Sequence, residues 1–327
     1  MKREEYLDKE IVLADSQRRI SKIKWPCMCP KCSEKAINSH LLQRHGILSH
    51  VTEDNHLYEL VREDAFKWHE NYPVKFKKVG LNNAISYPLF CDRHDTEIFL
   101  PIETGTIDFD DYKSQLLFSY RAVCAEIRKK EINLLEIQEN AANIEEMGVV
   151  GEAQLVGNDK GIKDLNYYKY LLEDELKTLK KKFIFYHFSY PALDIYTSAS
   201  MSYEIFDSCN DRQVEAAISK KVWDGLFIHI IPQQDSTEIL IGYHKNHTSR
   251  DMEEYVNSWK GLGMDEIGYK LTDLFVAHVD DWGMSPRLFE KISEDRFVKF
   301  FELQVKYSTL IAEQKTNVGY NLFEGLL

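Results

Sequence analysis

Soft metal ligands occur in two groups that lie far apart in the sequence. The first is the segment Cys-Met-Cys-Pro-Lys-Cys, and the second is Cys91 with His94 three residues later. Thiolate and imidazole donors at such spacings bind Zn²⁺ from a knuckle and from the first turn of a helix, a treble-clef-like layout. A site with four protein ligands is closed, so the sequence predicts a structural zinc ion that stabilises the fold. The predicted ligands are Cys32, Cys91, His94 and one of Cys27 and Cys29.

The spacing leaves the choice between Cys27 and Cys29 open. Cys29-x2-Cys32 has the ordinary knuckle spacing, but Cys27-x4-Cys32 is also sterically possible. The other two cysteines, Cys124 and Cys209, stand alone in helical or apolar surroundings, and we expect both to be small buried hydrophobic residues. This use of cysteine fits a reducing compartment.

Composition and charge bound the class of protein. The 327 residues are 44% hydrophobic, enough for a substantial core in two or three domains. The N-terminus carries charges of both signs, and no run of about eighteen apolar residues occurs, so we expect a cytoplasmic protein without a signal peptide or membrane contact.

The net charge of −12 is unevenly distributed. Residues 1–105 contain 16 basic and 16 acidic side chains, so the excess acid lies entirely beyond them. Because phosphate binding depends on local cationic clusters, the net charge lowers the expectation of a nucleic-acid ligand without removing it. The most cationic stretch, residues 64–88, mixes aromatic residues with Lys67, Lys75, Lys77 and Lys78. Half-buried strands with a solvated face explain this pattern, and base stacking with phosphate binding is the alternative.

Periodicity predicts the elements that position the ligand groups. Residues 1–24 have helical spacing, residues 41–46 predict a short helical turn closed by Gly46, and a helix is expected to start at Cys91. In the helical-turn interpretation, Ser39 and His40 cap the turn. From Asp108 a long helix of coiled-coil character is predicted, followed by a glycine-bearing loop over residues 147–161 and a second helix over residues 165–182.

The remainder of the chain predicts a sheet covered by helices. Four β-rich runs fill residues 183–243, and helices are expected at about residues 250–261, 265–277 and 285–313. The predicted fold class is α+β, with a treble-clef-like zinc domain, a central antiparallel helical hairpin and a C-terminal antiparallel sheet with covering helices. The predicted domains are residues 1–105, 106–182 and 183–327.

The order of these elements resembles the HNH (His-Me finger) endonucleases. A cysteine pair is followed by a strand-like segment ending in His40, then a loop, then a helix that opens with Cys91 and His94 and continues with Asp95. The resemblance implies that His40 is the general base that activates water and that Asp95 binds a catalytic Mg²⁺ or Mn²⁺ ion. It also implies that Asn55 or Asn83 orients the histidine, while zinc only holds the finger together.

The N-terminal segment is also similar to an uncharacterised group of bacterial proteins. The similarity rests on Ala-Ile-Asn-Ser-His and on the later Phe-Cys-Asp-Arg-His-Asp, followed by Phe-Leu-Pro-Ile-Glu. It groups the chain with proteins that have an N-terminal zinc segment, and it supplies no activity.

Two hypotheses of different class follow. In the first, the protein is nucleic-acid-directed and cleaves phosphodiester bonds of DNA or RNA in bacterial defence against phage. In the second, it is a non-catalytic interaction protein whose zinc is purely structural, whose hairpin forms a homo-oligomer and whose acidic C-terminal half binds a protein partner. Two further histidine groups are predicted to be structural, namely His244 with His247 in an exposed loop and His278 with Asp280 and Asp281 in a turn.

Overall fold

The computed structural model describes residues 3–63, 72–104, 106–143, 148–203, 222–308 and 317–327, and these form helices and antiparallel strands. The α+β class is therefore confirmed. Cys209, Lys67 and Met147, which the sequence interpretation included, lie outside the described residues. Cys124 is buried, as predicted. None of the helices in the described ranges combines the length and the apolar character needed to cross a membrane.

The N-terminal elements place the two ligand groups at one end of a small pair of strands, here called the β1–β4 hairpin although residues 41–85 lie between the strands in the sequence. Strands β1 (Asn38–His40) and β4 (Ser86–Pro88) form a two-stranded antiparallel sheet in which His40 pairs with Ser86, and helix α2 (Asp92–Glu103) follows β4. The predicted lead-in helix and the helix after Cys91 are confirmed. The elements are α1 (Arg3–Ile20), β1 (Asn38–His40), β2 (His56–Arg62), β3 (Val74–Gly80), β4 (Ser86–Pro88) and α2 (Asp92–Glu103).

The predicted helical turn at residues 41–46 is present as a single turn, in which the Ile47 amide donates to the Gln43 carbonyl at 3.1 Å, but it does not continue into a regular helix. The predicted closure by Gly46 is wrong. Gly46 does not adopt the left-handed conformation of a helix C-cap. The Ser39 hydroxyl caps nothing in this turn, because it accepts a hydrogen bond from the Phe90 amide at 3.3 Å. Ser39 therefore ties β1 to the segment that leads into α2.

Helices α3 (Tyr112–Asn143) and α4 (Gly148–Thr178) pack against each other in antiparallel directions. The Tyr120 hydroxyl of α3 donates to Glu173 of α4 at 2.9 Å, and Lys130 further along α3 lies against Gly161. The predicted glycine-bearing loop is wrong, since α4 already begins at Gly148. A Cβ atom on Gly161 would lie 2.9 Å from the Lys130 side chain, so this glycine permits close packing inside the helix.

The larger sheet has seven strands in the order β3-β2-β9-β6-β7-β8-β5. The four predicted strands are confirmed, and β9 lies between β2 and β6, so the sheet joins strands from either side of the predicted boundaries at residues 105 and 182. Those boundaries stay a prediction. The C-terminal strands are β5 (Phe183–Pro191), β6 (Ile195–Ser202), β7 (Gly225–Pro232), β8 (Ser236–His244) and β9 (Trp282–Met284).

The C-terminal helices cover one face of this sheet around a core of aromatic residues, and α3 packs against the other face. The Trp282 ring of β9 stacks on Phe275 with ring centroids 4.0 Å apart. The predicted long helix over residues 285–313 is divided, because Pro286 starts a separate short helix capped by the Ser285 hydroxyl. Residues 309–316 lie outside the described ranges. The covering helices are α5 (Arg250–Asn257), α6 (Met264–Ala277), α7 (Pro286–Phe289) and α8 (Glu294–Ser308).

Candidate metal centre

Four side chains converge between the knuckle and the start of α2. The donor atoms of Cys27, Cys32, Cys91 and His94 all lie within 4.8 Å of one another. Two sulfurs, those of Cys32 and Cys91, are 3.9 Å apart, and His94 Nδ1 lies 3.4 Å from the Cys27 sulfur and 3.3 Å from the Cys91 sulfur. A tetrahedral Zn²⁺ with ordinary bond lengths separates two sulfurs by about 3.8 Å and sulfur from nitrogen by about 3.6 Å. The group therefore fits a zinc ion.

Local hydrogen bonds fold the knuckle and present the second pair. The Cys27 amide donates to the Glu34 carbonyl at 2.8 Å, and the Cys32 amide donates to the Cys29 carbonyl at 3.1 Å. Lys31 adopts a φ of 64°, which lets the chain reverse between the cysteines. Cys91 occupies the N-cap position of α2, so His94 follows it within the first turn of the helix.

Cys29 makes a supporting contact to this group. Its backbone amide donates to the Cys27 sulfur at 3.5 Å, while its own sulfur is not one of the four clustered donors. Of the two alternatives that the sequence leaves open, the geometry thus favours Cys27 as the ligand. A hydrogen bond from an amide stabilises negative charge on a thiolate, as is common around zinc–cysteine sites.

Electrostatics within the cluster also fits a bound cation. Burial, reinforced by the sulfurs of Cys27 and Cys32, raises the pKa of Cys91 to about 12. Three thiols this close cannot all ionise unless a positive charge lies among them. A zinc ion at this position would supply that charge and would bind the thiolates directly.

Arg128 of α3 ties the two halves of the centre together. Its Nε donates to the Pro88 carbonyl at 3.0 Å, and its Nη2 donates to the Pro26 carbonyl at 2.9 Å. The guanidinium also lies 4.4 Å from the centroid of the Trp25 ring and pairs with Glu131 at 2.8 Å. Pro26 directly precedes the knuckle and Pro88 ends β4, so one side chain fixes the spacing of both ligand groups.

His40 lies at the end of β1, at the edge of the zinc-binding segment. Its Nε2 donates to the Asn82 carbonyl at 3.2 Å, which leaves Nδ1 with the lone pair that can accept a proton. Burial and the charge of Arg44 lower the pKa of His40, although the Asn82 bond and Asp95 oppose them. The imidazole is therefore neutral at pH 7. The contact that orients it comes from the Asn82 backbone, next to the predicted Asn83.

Asp95 follows His94 in the first turn of α2. Its Oδ1 is buried and has no hydrogen-bond partner among the described residues. Its charge acts on the pKa of His40, so the two side chains are electrostatic neighbours. A buried carboxylate oxygen without a partner is costly, and a bound cation would relieve that cost.

Two arginines near His40 have no counterpart in the sequence prediction. Arg44 donates to the Asn82 side chain at 2.9 Å, and the buried Arg121 pairs with Glu103 at 2.6 Å above the Phe99 ring. Both lower the pKa of His40. Arg121 comes from α3, and no local pattern in the sequence connects it with His40.

One of the two remaining histidine groups differs from its predicted surroundings, and the other lies in the non-helical segment predicted for it. His244 is buried, with its ring centroid 4.9 Å from that of Phe183, so the exposed-loop prediction is wrong for this residue. Asp280 and Asp281 lie 2.6 and 3.1 Å from the Lys129 ammonium, so both carboxylates belong to an ion-pair network. In the described part of the chain, the Cys3His cluster is the only group of three or more such ligands that could hold a metal.

Comparison with protein-family models, with curated proteins and with solved structures gives no match for this chain. The geometry of the metal centre supports a metal-binding segment with a neutral histidine and a buried carboxylate close to it.

Proposed function

We propose that the protein is a zinc-stabilised, nucleic-acid-directed hydrolase with an HNH-like centre. The observation that carries the proposal is that His40 ends β1, that Asp95 follows the ligand His94 in α2, and that the charge of Asp95 acts on His40. The HNH resemblance requires a strand and a helix in these two roles. The alternation of knuckle, β1–β4 hairpin and α2 supports a treble-clef-like arrangement of this segment.

The residues divide into a structural set and a reacting set. Cys27, Cys32, Cys91 and His94 would hold Zn²⁺, which supplies folding free energy and has no open position for substrate. His40 accepts a proton from water through Nδ1, since Nε2 is held by the Asn82 carbonyl. Asp95 offers its unpartnered oxygen to Mg²⁺ or Mn²⁺. Such an ion, when bound, stabilises negative charge on a phosphodiester.

Cleavage assays with matched variants test this proposal. Plasmid DNA and RNA are incubated with the protein and Mg²⁺ or Mn²⁺, and His40→Ala and Asp95→Asn are compared with His45→Ala and Asp92→Asn. The control residues are exposed and belong to the same segment. We expect the first two variants to lose cleavage by at least about 100-fold while retaining zinc, and the controls to remain active.

Either of two results would overturn the nuclease proposal. Wild-type protein that cleaves neither DNA nor RNA with any divalent ion contradicts it, and so does unchanged cleavage by both reacting-set variants. The role in phage defence is tested by phage plating on cells that express the wild type or His40→Ala, and equal plating on both removes that role.

One observation favours the rival interaction protein. On α4, Tyr170 is 65% exposed and Val156 is 57% exposed, and they lie two heptads apart on one face. This is the face of the helical hairpin that a second copy would cover if the chain associates through α4. Mass measurement in solution tests it: wild-type dimers converted to monomers by Tyr170→Asp support association through α4, and monomeric wild type excludes it.

A further inference from the structure

A groove of about 650 Å³ runs between the end of α1 and the β1–β4 hairpin. The segment that links α1 to the knuckle forms one wall, and the hairpin forms the other. Ile132 and Glu136 of α3 form the floor. The groove therefore adjoins the segments on either side of the knuckle, through Trp25 and Lys35.

Three lysines give this groove an uncompensated positive charge. Lys22, Lys24 and Lys35 line it and are exposed, and none has an ion-pair partner among the described residues. The one acidic side chain in the lining, Glu136, is already paired with Arg62 at 2.8 Å. The three lysines and Glu136 give the lining a net charge of +2, and Arg62 neutralises Glu136 from outside it, within a protein whose net charge is −12.

Some lysines elsewhere in the described structure are neutralised by neighbouring carboxylates, whereas others at the surface, such as Lys180 and Lys181, form no ion pair with a described residue. Lys129, Lys160 and Lys169 each lie 2.6 Å from a carboxylate oxygen. Salt screens the electrostatic field of the acidic remainder of the protein beyond about 8–10 Å. The local lysines therefore determine the potential inside the groove. That potential favours a polyanion.

Apolar side chains between the lysines indicate which class of polyanion matches the groove. Ile23 is 41% exposed and Ile37 is 40% exposed, and both line the groove together with the Trp25 and Tyr87 side chains. A nucleic-acid strand presents phosphates and flat apolar bases in alternation, whereas an acidic peptide offers charge without such faces. The interleaved surface thus matches a nucleic-acid strand better than an acidic peptide.

The groove is continuous with the residues placed in the reacting set. Asn38 lines it and lies two residues before His40 on β1, and Ser86, which also lines it, pairs with His40 across the hairpin. A strand that occupies the groove therefore reaches the hairpin that carries the general base.

We propose that this groove binds the phosphodiester backbone of a nucleic-acid strand through Lys22, Lys24 and Lys35. The proposal deepens the proposed function and rests on it for the link to cleavage, while binding itself can be measured separately. Each phosphate contact releases a condensed counterion, so three contacts contribute about 2 to the slope of log affinity against log salt for a single strand.

The experiment compares two triple variants of equal charge. Lys22→Gln/Lys24→Gln/Lys35→Gln alters the groove, and Lys177→Gln/Lys180→Gln/Lys181→Gln removes three exposed lysines at the end of α4. The control sites lie beside the N-terminal end of α3, about 30 Å along that helix from Ile132. Binding of a labelled single strand of about 20 nucleotides is measured between about 50 and 200 mM salt without added divalent ions.

We expect the groove variant to lose at least about tenfold in affinity and about 2 in salt slope, while the control keeps both. Equal losses in the two triples, or no loss in the groove variant, overturn the proposal. Poly-glutamate that displaces the strand at equal charge concentration also overturns it, in favour of an acidic peptide. Failure of the nuclease proposal can be distinguished from failure of the groove proposal. If the protein is not a nuclease, no variant cleaves, but the difference in binding between the two triple variants remains.

Discussion

The guanidinium of Arg128 donates a hydrogen bond to the carbonyl oxygen of Pro26, the residue that precedes the ligand Cys27, at 2.9 Å. A second donor of the same guanidinium reaches the Pro88 carbonyl at 3.0 Å, at the other side of the metal centre. The metal-binding segment is therefore positioned by α3, far away in sequence. Because Arg128 is buried and its donors diverge in a planar fork, a lysine cannot reproduce both bonds.

Arg128→Met is expected to weaken zinc binding by about 10- to 100-fold, as loss of an outer support does at other metal sites. It should also lower the free energy of unfolding by about 2–4 kcal/mol, because it removes buried bonds from a charged donor. Competition with a chelator and chemical denaturation measure the two effects. Arg93→Met, at an exposed pair with Glu97, is the control and should change stability by less than about 1 kcal/mol. Zinc affinity in Arg128→Met equal to that of the wild type would contradict this role.

Serine substitutions decide between Cys27 and Cys29. Cys27→Ser removes a clustered donor and should reduce zinc affinity by at least about 100-fold, since loss of an outer support alone costs up to that much. Cys29→Ser retains the backbone amide that contacts the Cys27 sulfur, so it should keep about one zinc per chain. Metal analysis after dialysis against a chelator gives the measurement. Zinc loss in Cys29→Ser with retention in Cys27→Ser would reverse the assignment.

Sequence spacing was sufficient to predict the ligand groups and the helices and strands with regular apolar repeats. Cys91 and His94 share one helical turn, and their proximity needs only local geometry. Cys27 and Cys29 could not be separated in this way, because both spacings reach one ion. The choice depends on long-range hydrogen bonds, such as that from the Met28 amide to the Leu89 carbonyl at 2.8 Å.

Tertiary contacts also explain the errors in element prediction. Gly161 is a residue type that favours loops, but it lies inside α4, where the Lys130 side chain of α3 packs against it. Arg121 and Arg128 lie on a helix whose periodicity predicts only packing. Nothing local indicates that the charge of Arg121 acts on His40 or that Arg128 contacts the residue before the knuckle. The helical hairpin of α3 and α4 and the strands of the larger sheet were predictable because their apolar repeats are local. The residues around His40 come together only in the folded chain.

Arg44 gives a test of the electrostatics around His40. Burial and the Arg44 charge both lower the pKa of His40, so Arg44→Gln should raise it toward its ordinary value of about 6.5. NMR titration of the imidazole measures the shift directly. If His40 acts as a base, the acidic limb of the cleavage rate moves to higher pH by the same amount, because the base must be neutral to accept a proton. Arg93→Gln serves as the control, and an unchanged or lowered pKa in Arg44→Gln would contradict the proximity of the two groups.

Glu59 of β2 links the N-terminal strands to the C-terminal sheet, and its protonation should make stability depend on pH. It is buried and accepts hydrogen bonds from the Ile85 amide and the Tyr196 hydroxyl, each at 2.7 Å. Burial raises its pKa from 4.5 to about 7 in spite of those bonds. The folded state therefore keeps a proton that the unfolded state releases, and the stability from this group is lost as the pH rises through 7.

Glu59→Gln should remove that dependence, because the amide stays neutral and keeps an acceptor oxygen at the same place. From about pH 5 to about pH 8, the wild type should lose about 2.5 kcal/mol of unfolding free energy through Glu59, and the variant should not. Denaturation at the two pH values gives the difference, and the exposed Glu290→Gln is the control. The comparison uses the change with pH within each protein, so a constant cost of the substitution cancels. Equal pH dependence in Glu59→Gln and the wild type would show that Glu59 is already ionised in the folded protein at pH 5.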